Sequence, residues 1–182
     1  KPIAYFSPVF TPVCVDGTCY PIKINLFWDL GGNYLKYSLD SNEVLTKVEH
    51  LPFSNFDYGL LHRVIANNKS ALANFTIYEL TTEEESKVDG VTGATRAELQ
   101  GTFVPDALYT SYTLWHLARK PKGEIEEYTT KQIFHSQFFQ YVLTTPQFGA
   151  QELALRYLLN KKKTTGVVDI LTPIIDSVSY TH

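Results

Sequence analysis

Methionine is absent from this chain of 182 residues, and cysteine occurs only twice. Without methionine, Lys1 is not expected to be a translation start; the expectation is a boundary made by processing or by cloning, and the first of these fits a trimmed exported protein. Two cysteines exclude a disulfide-rich scaffold, and alone they make a poor metal site. No apolar run approaches the roughly 20 residues needed to cross a bilayer, and no charged-then-apolar leader opens the chain. No membrane span is predicted, and any signal or anchor is expected to have been removed. A basic excess is missing as well. Sixteen Lys+Arg against 19 Asp+Glu give a formal charge of -3. The only cationic run, Lys161-Lys162-Lys163, reads as a solvated helix end, so nucleic acid is not an expected partner.

What is present is globular in kind. Hydrophobic residues make up 44% of the chain and aromatic residues 14%, enough for one sizeable core or one domain with a helical appendage. Residues 1–13 contain Pro2, Pro8 and Pro12 among aromatics, which predicts an extended arm ending in a strand. From Tyr20 to Asp29 apolar side chains alternate, with Ile22, Ile24, Leu26 and Trp28 on one face. Gly31-Gly32-Asn33 turns the chain, and Tyr34–Leu39 reads as the return strand, placing Leu35, Tyr37 and Leu39 together in an antiparallel meander. Ser54 followed by Asp57 predicts a capped helix to about Asn67, carried by Phe56, Leu60, Leu61, Val64 and Ile65. His50 and His62 lack a second ligand at helical spacing and read as structural or surface residues, so no metal site is predicted.

Thr76–Leu80 reads as a further strand, and Thr82-Glu83-Glu84-Glu85 as an acidic loop. Arg96–Gln100 predicts a short helix ending at Gly101, and Pro105-Asp106 caps a helix from Ala107 to about Arg119. On that helix Leu108, Tyr112 and Trp115 form one stripe and Ala107, Leu114 and Ala118 another, while Tyr109 and His116 are placed to look toward a neighbouring loop. Helical runs follow at 130–143, 146–160 and 167–178, without an established repeat period. The expected class is α+β: a small antiparallel sheet with helices in residues 1–122, then a short helical region in 123–182.

Cys14-Val15-Asp16-Gly17-Thr18-Cys19 carries Asp-Gly between apolar flanks, a strong hairpin signal. With Asp16 and Gly17 as the loop, Cys14 faces Cys19 at a non-hydrogen-bonded position, close enough for a disulfide. A reduced pair and a redox-active dithiol are the alternatives, although the Cys-x-x-Cys spacing of the latter is absent.

The strongest chemical signal is Val88-Asp89-Gly90-Val91-Thr92-Gly93-Ala94-Thr95. Glycine beside small hydroxylic residues lets backbone N–H groups approach an anion, and a helix starting near Ala94 would turn its unpaired amides toward a phosphate. Asp89 is suited to orient a hydroxyl or to hold a divalent ion near Thr95. The same residue types also build plain turns and helix caps, so a connecting loop is the alternative.

Asp89-x-x-Thr92-Gly93-Ala94-Thr95 resembles the flavinylation motif of the FMN-binding domain family, which includes soluble domains of sodium-pumping NADH:quinone reductase and Rnf complexes. Average residue usage makes the five specified positions coincide by accident in roughly one chain in a few thousand. The resemblance implies FMN joined by a phosphoester to the hydroxyl of Thr95, attached by a separate magnesium-dependent flavin transferase that uses FAD. Asp89, Thr92, Gly93 and Ala94 complete the implied cofactor-binding set, and Mg belongs only to the attachment step. Many family members carry a second hydroxylic residue two positions after the attachment site, where this chain has Ala97. Trp28-Asp29-Leu30-Gly31-Gly32-Asn33-Tyr34 also resembles a stretch of some extracytoplasmic FMN-binding proteins, with no separate role attached to it. The implied function is an exported, extracytoplasmic electron carrier served by redox partner proteins, with Trp28, Tyr112 and Trp115 as aromatic candidates for covering one flavin face. A flavin-dependent reductase with its own pocket and a non-redox helical interaction module are the alternatives.

Overall fold

The computed structural model describes residues 4–13, 21–81, 97–132, 142 and 148–160. Three strands, β1 (Tyr5–Thr11), β2 (Ile22–Trp28) and β3 (Tyr34–Ser38), form an antiparallel sheet in the order β1-β2-β3. With helices around it, this is an α+β fold. The alternation of β2 is realised: Ile24, Leu26 and Trp28 are buried, while Lys23 is exposed. β3 departs from expectation, because Leu35 is exposed and only Tyr37 and Leu39 are half-buried. The hydroxyl of Tyr37 donates to the carbonyl of Tyr58 at 2.9 Å.

The chain divides into two compact units. One comprises Phe6–Phe27 and Tyr34–Lys120. Its helices are α1 (Asn55–Ala66), which packs on β3, and α2 (Leu108–Leu117), which packs on α1. Val64, Leu72, Leu80, Leu99 and Trp115 form the core, with Leu108 and Tyr112 against it, so the predicted stripe of α2 faces inward. Phe56, in the first turn of α1, does not join this core and is exposed.

The start of α1 is a complete capping box. Ser54 Oγ accepts from Asp57 N, and Asp57 Oδ2 accepts from Ser54 N at 2.8 Å and Ser54 Oγ at 2.7 Å. Lys47 Nζ lies 2.9 Å from the other carboxylate oxygen. The lysine and the serine hold the Asp57 carboxyl down at about 2, from an ordinary 3.8. A group whose folded-state value is depressed stabilises the fold above its unfolded value, and that stabilisation is lost as pH falls toward the folded one. Asp57→Asn is therefore expected to lower the thermal midpoint at neutral pH, and the gap from the parent should shrink between about pH 4 and about pH 2. A gap of the same size at both pH values would contradict the charge-based account.

The other end of α1 is closed by Arg119. Its guanidinium donates to the carbonyls of Ile65 and Asn67, both at 2.9 Å, and to Asn68 Oδ1 at 3.0 Å. A cation on the last carbonyls of a helix meets the negative end of its dipole. Burial lowers the Arg119 value to about 10, leaving it charged at neutral pH.

The second unit brings Trp28–Asn33 and Tyr5 together with residues from Pro121 onward. Its described helices are α3 (Lys122–Gln132) and α4 (Phe148–Asn160), which pack together. The run expected to start at Thr130 is thus preceded by a helix, and the run expected at 146–160 is α4. Leu30, Val142, Ala150, Leu153 and Ala154 form the core, with Tyr5 and Tyr157 against it. The Tyr5 hydroxyl is 3.0 Å from Oγ1 of the fully buried Thr129.

The turn after β2 is built on Asp29. Its Oδ1 accepts from Gly31 N at 2.9 Å and Asn33 N at 2.8 Å, and Asn33 Oδ1 in turn accepts from Lys122 Nζ at 2.9 Å. Gly149 in the first turn of α4 lies against this arrangement. A Cβ at Gly149 would collide with Asn33 Nδ2 and Asp29 Oδ2, and a Cβ at Gly31 with the Gly149 carbonyl.

Candidate functional site

Asp89, Thr92, Gly93, Ala94 and Thr95 lie outside the described residues, as does the acidic run Thr82–Glu85. The structure describes how the two flanks of that segment are held. On the amino side, Thr76–Leu80 is not a strand: Ile77–Glu79 is one turn of 3-10 helix. Thr76 and Glu79 satisfy each other locally, with Glu79 Oε2 accepting from Thr76 N at 2.7 Å and from Thr76 Oγ1 at 2.8 Å. That pairing competes directly with a sheet ladder. Leu80 follows, fully buried.

On the carboxy side Ala97–Leu99 forms a second 3-10 turn, and Leu99 is also fully buried. The Leu99 carbonyl accepts from Thr102 N at 3.0 Å and Thr102 Oγ1 at 2.6 Å. Gly101, at φ +75, makes the left-handed exit. Leu80 and Leu99 belong to one core cluster with Trp115, so both ends of the motif-bearing segment are anchored in the same apolar centre.

The wall of that centre is α2. Asp106 does not cap it as expected: it takes φ +60, Ala107 is the N-cap residue, and no side chain caps the helix. Ser111 instead turns back, its Oγ accepting from Val104 N at 3.0 Å. The Tyr112 hydroxyl donates to the Phe75 carbonyl at 3.0 Å, and burial raises its value. His116 Nε2 lies 3.2 Å from the Leu72 carbonyl. A carbonyl only accepts, so Nε2 carries the proton. Burial lowers the His116 value, with the hydrogen bond to Leu72 opposing it and the Arg119 charge adding to it.

The aromatic candidates separate on burial. Trp28 and Trp115 are 3% and 4% exposed. The Trp115 Nε1–H donates to the Asn67 carbonyl at 2.8 Å, and the Arg119 guanidinium lies 3.7 Å from its ring centroid. Trp115 is committed to packing, which removes it as a flavin cover. Tyr109 and Tyr112 are half-buried beside the two anchors. Of the histidines, His62 pairs with the Tyr34 hydroxyl at 3.1 Å, and His50 sits exposed at φ +58. Among the described residues no three His, Cys, Asp or Glu side chains come together as a metal site. The structural weight of Asp29 was not apparent from the sequence. Its signal was the Asp-x-Gly spacing, in which a side chain accepts from the backbone two residues on.

Cys14 and Cys19 also lie outside the described residues. Peptide mapping without reduction is expected to recover them joined, and two alkylatable thiols in exported material would refute the pairing. Stabilisation from so short a closed loop should be modest. No described helix is long and apolar enough to cross a membrane. Comparison with protein-family models, curated proteins and solved structures finds no match.

Proposed function

We propose that this chain is an extracytoplasmic electron carrier with FMN esterified to Thr95. The observation that carries the reading is the motif Asp89-x-x-Thr92-Gly93-Ala94-Thr95. The two buried leucines that anchor the flanking turns are compatible with it, because a loop held at both ends can present a side chain without a deep pocket around it. Bound FMN supplies one- and two-electron chemistry. The chain supplies the Thr95 hydroxyl, whose oxygen bonds to the FMN phosphorus while the remainder of FAD departs as AMP, and Asp89 orients the groups around that oxygen during the transferase reaction. A tether holds the cofactor where free flavin is scarce and raises its effective concentration beside a docked redox protein.

The test is intact mass of protein made with and without a flavin transferase. Esterification adds one FMN less water only in the first sample, and an unchanged mass in both rejects the proposal. Carrier and reductase then separate by stopped-flow spectroscopy. Reduced, flavinylated protein should pass electrons quickly to a second flavoprotein or a small mediator, without saturable turnover of NADH. Saturable, substrate-specific reduction that depends on a residue outside the motif would favour the reductase.

A further inference from the structure

β1 forms one edge of the sheet, and Phe6 and Phe10 on it are 66% and 67% exposed. Strand alternation puts Phe6, Pro8 and Phe10 on one face. The Phe6 ring stacks on Phe27 of β2 at 5.8 Å, and Lys36 Nζ of β3 lies 5.0 Å from the centre of the Phe27 ring. These side chains therefore share the face opposite the buried Ile24 and Leu26. Lys23 falls on this outer face by the same alternation, with its side chain largely exposed and its ammonium 3.6 Å from Glu43.

Three kinds of occupant can be weighed. Addition of a strand to the β1 edge is opposed by Pro8, which has no N–H to give to a ladder. A second copy needs area: two largely exposed phenylalanines and part of a third offer roughly 300–400 Å² of ring surface, well short of the roughly 800 Å² per partner in a stable interface. Self-pairing would also gather additional lysines onto one patch. A lipid surface requires neither large area nor matched shape, since a few aromatic rings at the headgroup boundary and cations against anionic headgroups suffice.

We infer that the outer face of the sheet docks reversibly on an anionic lipid surface, with Phe6 and Phe10 entering the headgroup boundary and Lys36 and Lys23 meeting lipid phosphates. Glu43 offsets part of the Lys23 charge, and the chain as a whole is negative at -3, so the attraction is local and salt-sensitive. The attachment uses no membrane-crossing helix and does not depend on the flavin at Thr95.

The test is cosedimentation of the full chain with vesicles of phosphatidylcholine, with and without phosphatidylglycerol. Binding is expected to the mixed vesicles and to weaken with added salt. Phe6→Ser with Phe10→Ser should lower the affinity at least about tenfold, and Lys36→Glu about fivefold or more. Tyr78→Ser, at an exposed aromatic outside the sheet, should leave it unchanged. Near-ultraviolet circular dichroism verifies that each variant is folded. Absence of binding by the parent chain overturns the inference, as does equal binding by the double phenylalanine variant. Concentration-dependent self-association that the phenylalanine changes abolish and vesicles do not compete away would assign the face to a second copy instead.

Discussion

Thr95→Ala is expected to abolish covalent flavin altogether, while Thr95→Ser retains it. On the proposed reading the attachment needs one hydroxyl oxygen at position 95, and alanine removes that oxygen without adding bulk. Serine keeps the oxygen and loses only a methyl group. Thr92 does not substitute, because it precedes Thr95 by three residues and sits elsewhere along the backbone. The readout is intact mass after coexpression with a flavin transferase, supported by the flavin absorbance that survives denaturation. Flavin still attached in Thr95→Ala would overturn the assignment, whatever its effect on electron transfer. With Leu80 and Leu99 anchoring the flanks, the thermal midpoint of apo Thr95→Ala is expected to match that of the apo parent.

Gly149→Ala is expected to be strongly destabilising. The added carbon would run into the Asn33 amide and the Asp29 carboxylate, with Asp29 Cγ only 3.0 Å away. Neither obstacle can swing aside. Asp29 is 4% exposed and bound to Gly31 N and Asn33 N, while Asn33 is held by Lys122. Overpacking against fixed atoms costs about 3 kcal/mol, which for a chain of this length lowers the thermal midpoint by roughly 6–12 °C. Gly59→Ala makes the control. Gly59 lies within α1 with nothing within 4 Å of its would-be Cβ, so the same methyl should stabilise by up to about 1 kcal/mol. A Gly149→Ala protein that melts with the parent would mean that the turn and α4 do not meet as described.

Parts of this architecture are legible in the sequence because their causes are local. The alternation of Ile24, Leu26 and Trp28 fixes β2, and the Ser54/Asp57 pair fixes the start of α1. The stripe Leu108, Tyr112 and Trp115 of α2 does pack on the core, but only Trp115 of it is buried, and Thr110, Ser111 and Leu114 are buried beside it. Other parts depend on partners far along the chain. Nothing in Trp28–Asn33 announces that Gly149 will lie against it, and α3, crowded with Lys and Glu, offers little apolar periodicity to read. The segment Thr76–Leu80 has the β-branched and aromatic residues of a strand, but its Thr76/Glu79 pair builds a capped turn instead. For the candidate site, the motif residues come from the sequence and the anchoring of their flanks from the structure. That neither tryptophan is open to a ligand could not be told from spacing, since both are buried and Trp115 also lies under the Arg119 guanidinium.

The Trp28–Asn33 turn also constrains the order in which the protein can be made. Leu30 is fully buried, yet its core companions Val142, Ala150, Leu153 and Ala154 all lie beyond Pro121. During vectorial synthesis the turn must therefore leave the ribosome and wait, its leucine uncovered, while the whole of Tyr34–Lys120 is translated and begins to fold. For the same reason a fragment ending at residue 122 carries the turn without its cover, so such a fragment should recruit chaperones and aggregate even when its own sheet and α1 have formed.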